Sequence, residues 1–290
     1  MSDSTRLAPT RIGGRLFDWG SRTFVMGIVN ATPDSFSGDG LIAAAHGATA
    51  QVVELAVAQA RRMVVEGADI IDVGGESTRP GHEPVPPQEE LSRVVPVVAA
   101  IHAALPDVPI SIDSFKPAVA AAALDAGAAL LNDVWACWGD SAMAHLAAER
   151  RVPLVVMHNR REPVYRDFMA EVIADLRGAL ERAEALGVPA NNLIVDPGFG
   201  FGKTPQHNLH VLRELRTLRT LGRPILLGTS RKSTLGRVLG GLPPEDRLEA
   251  TLATTALGIL GGADIVRVHD VVANVRTAQM SDAVVRGWTE

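Results

Sequence analysis

The sequence is poor in cysteine, aromatic residues, positive charge and long apolar runs. One cysteine, Cys137, stands in 290 residues, which excludes an internal disulfide and fits a reducing cytoplasm. A lone cysteine can be a nucleophile, but this one lies between two tryptophans in NDVWACWGD and reads as an inert thiol. No run of about 18 apolar residues occurs, so no segment reads as a transmembrane helix. The N-terminal MSDSTRLAPTRIGG is polar and lacks an apolar stretch, so no secretory signal is expected. The net charge of -5 argues against a nucleic-acid binder, which usually presents a basic face. Aromatics make up 4% of the chain and hydrophobic residues 47%. That balance, rich in Ala, Val, Leu and Gly, favours helices packed closely on parallel strands.

What is present is a repeated alternation. Residues 1–10 read as a disordered arm, and residues 11–23, with Gly13-Gly14 and Trp19-Gly20, as a small hairpin. From residue 24 to the end, short apolar strands alternate with Ala- and Leu-rich helices. Strands are expected at 24–29, 69–73, 109–112, 129–131, 153–157, 193–195, 224–228 and 264–268. Helices are expected at 47–66, 88–104, 116–126, 141–150, 167–186, 207–220, 245–260 and 270–286. The segments EGADIIDVG, AGAALLNDV and GGADIVRVHD share one pattern: a helix ends on Gly67, Gly127 or Gly262, suited to a left-handed cap, and an apolar run follows. Unbroken apolar strands alternating with helices imply a parallel sheet covered on both faces. Eight such units point to an α/β fold of the (β/α)8 TIM barrel type, forming a single domain over 24–290. An open doubly wound sheet is the alternative, but no strand reads as an edge and no nucleotide fingerprint follows the first one.

In such a barrel the chemistry sits at the C-terminal ends of the strands. Those ends carry Asn30, Asp72, Asp113, Asn132-Asp133, His158-Asn159, Asp196, the run Gly228-Thr229-Ser230-Arg231-Lys232-Ser233, and Arg267 with His269. Ser114 and Ser230 are good candidates for helix N-caps. Capping does not explain why Asp113, Asn132, Asp196 and Lys232 should share one mouth. Two carboxylates and an amide suit a flat heterocycle rich in N–H donors, and Lys232 suits a ring carbonyl or nitrogen. Arg267 and His269, two apart on a strand, face one side and with Arg79 suit an anion. Arg267 could instead pair with a neighbouring barrel acid, and His269 could serve a helix start.

The stretch NNLIVDPGFGFGKTPQHN, residues 191–208, is where the chain is densest in such features. A phosphate-cradling loop would need Gly where Pro197 stands. The dinucleotide fingerprint fails because the glycines alternate at 198, 200 and 202. What remains is a strand that delivers Asp196 to a rim, followed by a close-approach loop with Phe201 and a lysine; a loop cap is the plainer reading of Asp196.

Taken in order, GIVNATPDSFSGDG, DVGGESTRPG, SIDSFKP, NDV, DPGFGFGKT, GTSRKS and RVHDV resemble the motifs of the dihydropteroate synthase family and run from residue 27 to 271. The resemblance implies the same barrel and a transferase of folate biosynthesis. Such an enzyme condenses (7,8-dihydropterin-6-yl)methyl diphosphate with p-aminobenzoate, releases pyrophosphate, uses magnesium, works as a homodimer in the cytoplasm, and is the target of sulfonamides. Asp196 matches the acid that pairs with the pterin's amidine edge, Asp113 and Asn132 the other pterin contacts, and Lys232 the lysine near the ring carbonyl. Thr78, Arg79, Arg267 and His269 fall on the diphosphate side, Asn30 on the magnesium ligand, and Phe201 and Ser233 beside the aminobenzoate. Met157 and Gly228 complete the implied substrate-binding set, with Asp113, Lys232, Arg267 and His269 as its catalytic members. Residues 31–40 and 74–87 would close over the site.

Three departures from the family pattern stand out. SFSGDG replaces SFSDGG, which moves the acid to Asp39; NDVWACWGD is bulkier than usual; MHNR replaces a Met-His-Met-Gln run. A pterin-binding methyltransferase barrel and a non-catalytic pterin-binding paralogue are the rival readings. Neither would need the diphosphate-side groups.

Overall fold

The computed structural model describes residues 7–31, 50–76, 85–135 and 141–288. Two short strands, β1 (Thr10–Ile12) and β2 (Arg15–Phe17), pair antiparallel across Gly13-Gly14. Eight further strands follow: β3 (Phe24–Asn30), β4 (Ile70–Gly74), β5 (Ile110–Asp113), β6 (Leu130–Asp133), β7 (Leu154–Met157), β8 (Leu193–Asp196), β9 (Leu226–Leu227) and β10 (Ile265–Val268). They form one parallel sheet in the order β8-β7-β6-β5-β4-β3-β10-β9. A bridge between Val195 and Ile225, with the Val195 N–H donating to the Pro224 carbonyl at 2.9 Å, joins the two ends. The ring is therefore the (β/α)8 barrel that the alternation implies.

The helices are α1 (Ala50–Val65), α2 (Pro87–Ala104), α3 (Pro117–Asp125), α4 (Ala142–Arg150), α5 (Phe168–Ala185), α6 (Pro205–Arg213), α7 (Ser233–Val238), α8 (Leu248–Leu260) and α9 (Val271–Arg286). Most bury an apolar stripe against the outside of the barrel, whereas α8 buries Thr251, Thr254, Thr255, Gly258 and Ile259. In α5 the stripe is Phe168, Val172, Leu176, Ala179 and Ala183, and Asp167 caps its start by accepting the Ala170 N–H. Gly67, Gly127 and Gly262 do take positive φ at the turns back into strands.

Alternate strand residues turn inward and form a second, separate core. Phe24, Met26, Ile70, Leu130, Val155, Ile194, Leu226 and Ile265 fill the lower barrel, and Ile12, Phe17 and Trp19 of the hairpin region plug it from below. The Trp19 ring lies edge-on to Phe24, 5.5 Å between centroids, and its Nε1–H donates to the Thr10 hydroxyl at 2.9 Å. Two acids of the repeated Gly-Ala-Asp pattern work at this same end. Asp69 accepts the Val25 N–H and pairs with Arg22, and Asp264 accepts the Ile225 N–H and pairs with Arg219. Each thereby ties its strand to a neighbour.

The structure departs from the sequence expectation in three places. The helix expected over 207–220 breaks at Arg213, and Leu215–Leu221 forms a 3-10 helix. Its buried Leu215, Leu218 and Leu221 recur every third residue, the period of that tighter helix. The short α7 was not expected at all. Neither serine is an N-cap: the Ser114 hydroxyl accepts the Lys116 N–H one residue before α3, and Ser230 serves His269.

Candidate active site

The period of two along each strand builds the site. Two residues beyond the lower inward layer, the same face presents Asp72 after Ile70, Asn132 after Leu130, Met157 after Val155, Asp196 after Ile194, Gly228 after Leu226 and Arg267 after Ile265. On β5 the inward Ser111 precedes Asp113. The lower barrel is apolar and its upper layer carries charge.

Arg267 is the hub of that layer. Its Nε donates to Asp72 Oδ2 at 2.6 Å and its Nη2 to Asp113 Oδ2 at 2.6 Å. The Asn132 amide donates to Asp72 at 3.4 Å. Burial opposes charge on Arg267, but Asp72 and Asp113 outweigh it and hold the guanidinium's pKa above its ordinary value. Of the two readings open for Arg267, the pair with barrel acids is made, and with two acids rather than one. Its Nη1 makes no hydrogen bond among the described residues. Asp113 Oδ1 is buried without a partner among the described residues. Burial pushes Asp113 up to about 7; Arg267 pulls it down, and Asp72 pushes it up again.

Asp196 and Lys232 form the other half. Asp196 Oδ1 accepts the Gly198 N–H at 2.6 Å. Burial raises its pKa, against the pull of Lys232 and that N–H. Burial pushes Lys232 down to about 8, against the pull of Asp196. Its Nζ donates to the Phe199 carbonyl and lies 4.4 Å from the centroid of the Phe201 ring. The loop that carries these contacts requires glycine. Gly198 has φ +67°, and a Cβ there would fall 1.8 Å from the His158 carbonyl.

The remaining implied residues stand around this centre. Met157 is buried on β7 opposite Asp196. Gly228 is an inward position where a Cβ would meet the Arg267 side chain. His269 Nδ1 lies 3.0 Å from the Ser230 hydroxyl, which accepts the His269 N–H. Asn30, partly buried, ends β3 opposite Gly74, and Ser233 is exposed at the first turn of α7. Arg231 points away, bound twice to Asp270. Thr78, Arg79, Asp39 and Cys137 lie outside the described residues, as does most of 31–40 and 74–87. Asp72 was visible as a strand-end acid but had no assigned role. The period of two was the signal that could have found it.

The chain matches the family model described as pterin binding enzyme over residues 26–269. It is 48% identical over 277 residues to the dihydropteroate synthase of Clostridium beijerinckii, covering 95% of this chain and 99% of that protein. It superposes on the dihydropteroate synthase from Xanthomonas albilineans in complex with 7,8-dihydropteroate with a TM-score of 0.85 and 41% identity, covering 96% of this chain and 98% of that one. The Yersinia pestis dihydropteroate synthase in complex with a sulfonamide drug is similar with a TM-score of 0.86 and 38% identity, covering 97% of this chain and 100% of that one.

Proposed function

This chain belongs to the dihydropteroate synthases, the transferases that join (7,8-dihydropterin-6-yl)methyl diphosphate to p-aminobenzoate with release of pyrophosphate, and from that premise we propose how its own residues carry the reaction. The observation that carries the reading is the charged upper layer: Asp113, Asn132, Asp196, Lys232 and Arg267, delivered by separate strands and loops to one barrel mouth. Asp196 accepts two N–H groups from the pterin's amidine edge, a bidentate task for a carboxylate. Asn132 and Asp113 take the far edge of the ring, and Lys232 faces the ring carbonyl. The buried Oδ1 of Asp113, without a partner among the described residues, is an acceptor open to a substrate donor.

The diphosphate extends toward Arg267 and His269, with Thr78 and Arg79 as further contacts that the family resemblance implies. Arg267 offers Nη1 to the anion while its other nitrogens stay on Asp72 and Asp113. The C–O bond to the diphosphate breaks and leaves its electron pair on pyrophosphate. The exocyclic methylene becomes a cation spread over the pterin, and Asp113 stabilises it electrostatically. The neutral aniline nitrogen of p-aminobenzoate then attacks, and its proton is lost to solvent. Phe201 and Ser233 flank the aminobenzoate.

Asn30 fits magnesium as a neutral oxygen donor at the rim. Among the described residues no group of three or more His, Cys, Asp or Glu could hold an ion, so the remaining ligands would be diphosphate and water. When bound, magnesium offsets charge on the leaving diphosphate. Sulfonamides compete at the aminobenzoate side. A homodimer uses the outer faces of α8 and α9, where Leu257, Leu260, Met280 and Val284 are exposed. The methyltransferase and non-catalytic readings are not favoured, since the chain's relatives are synthases.

The test is pyrophosphate release from dihydropterin pyrophosphate with magnesium. Release should require p-aminobenzoate and should fall sharply in Asp113→Asn. Release that ignores p-aminobenzoate, or full turnover by Asp113→Asn with unchanged pterin affinity, would overturn the reading.

A further inference from the structure

Lys203 lies behind the site and has no part in the mechanism above. Its Nζ is 2.8 Å from His158 Nδ1, 3.3 Å from the His158 carbonyl and 3.1 Å from the Phe201 carbonyl. His158 Nε2 in turn lies 3.1 Å from Asp175 Oδ2, and Arg160 Nε donates to the same oxygen at 2.8 Å. A carboxylate only accepts, so the ring proton sits on Nε2 and the Nδ1 lone pair faces Lys203. Burial keeps the imidazole neutral, pushed down to about 2 with help from Lys203 and Arg160. Three acceptors thus face one amine, which burial pulls down to about 7 against the pull of Asp196; in its charged form it has three N–H donors, one for each. A neutral or apolar side chain in its place would leave at least one of them unsatisfied.

The same contacts run on to the aminobenzoate side. The loop after β8 is gripped from two directions: Lys232 takes the Phe199 carbonyl, and Lys203 takes the Phe201 carbonyl. Between them the Phe201 ring packs against the Lys232 ammonium. There is no slack in the seam, because Cβ atoms at Gly198 and Gly202 would fall 1.8 and 2.4 Å from the His158 and Arg160 carbonyls. Asp196 is held by the Gly198 N–H on its own strand end; burial raises its pKa, and Lys203 pulls it down less than Lys232 and that N–H do.

We propose that Lys203 is a positioning residue which, through His158 and the Phe201 carbonyl, fixes the Phe201 ring and so sets affinity for p-aminobenzoate rather than for the pterin. The proposal rests on the reading of Phe201 as a neighbour of the aminobenzoate. The test is a double-mutant cycle on the full chain, with KM measured for each substrate. Lys203→Met should raise the KM for p-aminobenzoate about tenfold, the scale of one bond to a charged group, and that for dihydropterin pyrophosphate less than about twofold. In a Phe201→Ala background the same change should add less than about twofold, since the two residues act as one unit. Asp175→Ala, a partly exposed change, removes the acceptor that pins the ring proton on Nε2 and frees the tautomer whose proton faces Lys203. It should give the same selective rise, about threefold, should Lys203→Met fail to fold. If Phe201→Ala alone leaves the aminobenzoate KM unaltered, the substrate assignment is wrong and the proposal falls with it. If Phe201→Ala raises that KM but Lys203→Met raises both substrates alike, or adds in full, only the proposal falls.

Discussion

Replacing Asp72 by Asn tests the charged layer at its least exposed point. Asp72 is fully buried and shares the Arg267 guanidinium with Asp113. Its charge pushes Asp113 up, and Arg267 pulls Asp113 down. Two carboxylates bracketing one guanidinium stand roughly 5 Å apart, which at an effective dielectric near 20 is a repulsion of about 3 kcal/mol. That is an upper bound of about two pKa units, and relaxation of the partly exposed Arg267 would cut it to about one. In Asp72→Asn the Asp113 carboxyl should therefore titrate about one unit below 7. Asp113 acts as an anion, so kcat/KM falls as pH drops through its pKa in the free enzyme. The acid limb should begin near 7 in the native protein and move to lower pH in Asp72→Asn. The variant should also lose about 2–4 kcal/mol of stability in urea, because a guanidinium that is largely buried, with 19% of its side chain exposed, loses one of two counter-charges. An acid limb that stays near 7, or climbs, would refute the coupling of Asp72 to Asp113 through Arg267.

Other perturbations follow from single contacts. Lys232 is held down at about 8 by burial and acts as a cation, so turnover should decline as pH rises through about 8, and this limb should vanish in Lys232→Met. Gly198→Ala sets a side chain against the His158 carbonyl at positive φ and should cost at least about 3 kcal/mol in denaturant unfolding; an unchanged midpoint would contradict that geometry. Trp19→Ala opens the bottom plug and should cost about 3–5 kcal/mol while kcat at low temperature stays native, since Trp19 lies at the opposite end from the chemistry. Chelation by EDTA should stop turnover and leave the thermal midpoint where it was, because the described side chains form no cage that depends on an ion.

Much of this is legible in the sequence. Strand-end residues could be named because short apolar runs mark the strands, and a barrel sends their last polar groups to one rim. The Gly-Ala-Asp echo marked both the left-handed caps and, unrecognised, the acids Asp69 and Asp264 that tie the strands at the bottom. That Arg267 could pair with a barrel acid was legible, but not that Asp72 would be such an acid. The two are 195 residues apart, and only the β10-β3-β4 neighbourhood of a closed ring brings them together. The 3-10 segment over Leu215–Leu221 was misread as helix because a leucine repeat of three lies close to the helical period of 3.6. The six residues of α7 carry a Gly and a Thr and little helical preference of their own. They are held by burying Thr234 and Leu235, a tertiary effect that local sequence does not announce.

The central claim is that groups from separate strands converge on one pterin with its charged tail beyond it. A crystal structure of the protein with 7,8-dihydropteroate tests it most directly. Asp196 should contact the amidine edge, Asp113 and Asn132 the far ring edge, Lys232 the ring carbonyl, and Phe201 the aminobenzoate. Ligand density seated elsewhere, or a pterin at the mouth with Asp113 and Asp196 out of reach of its N–H groups, would contradict it.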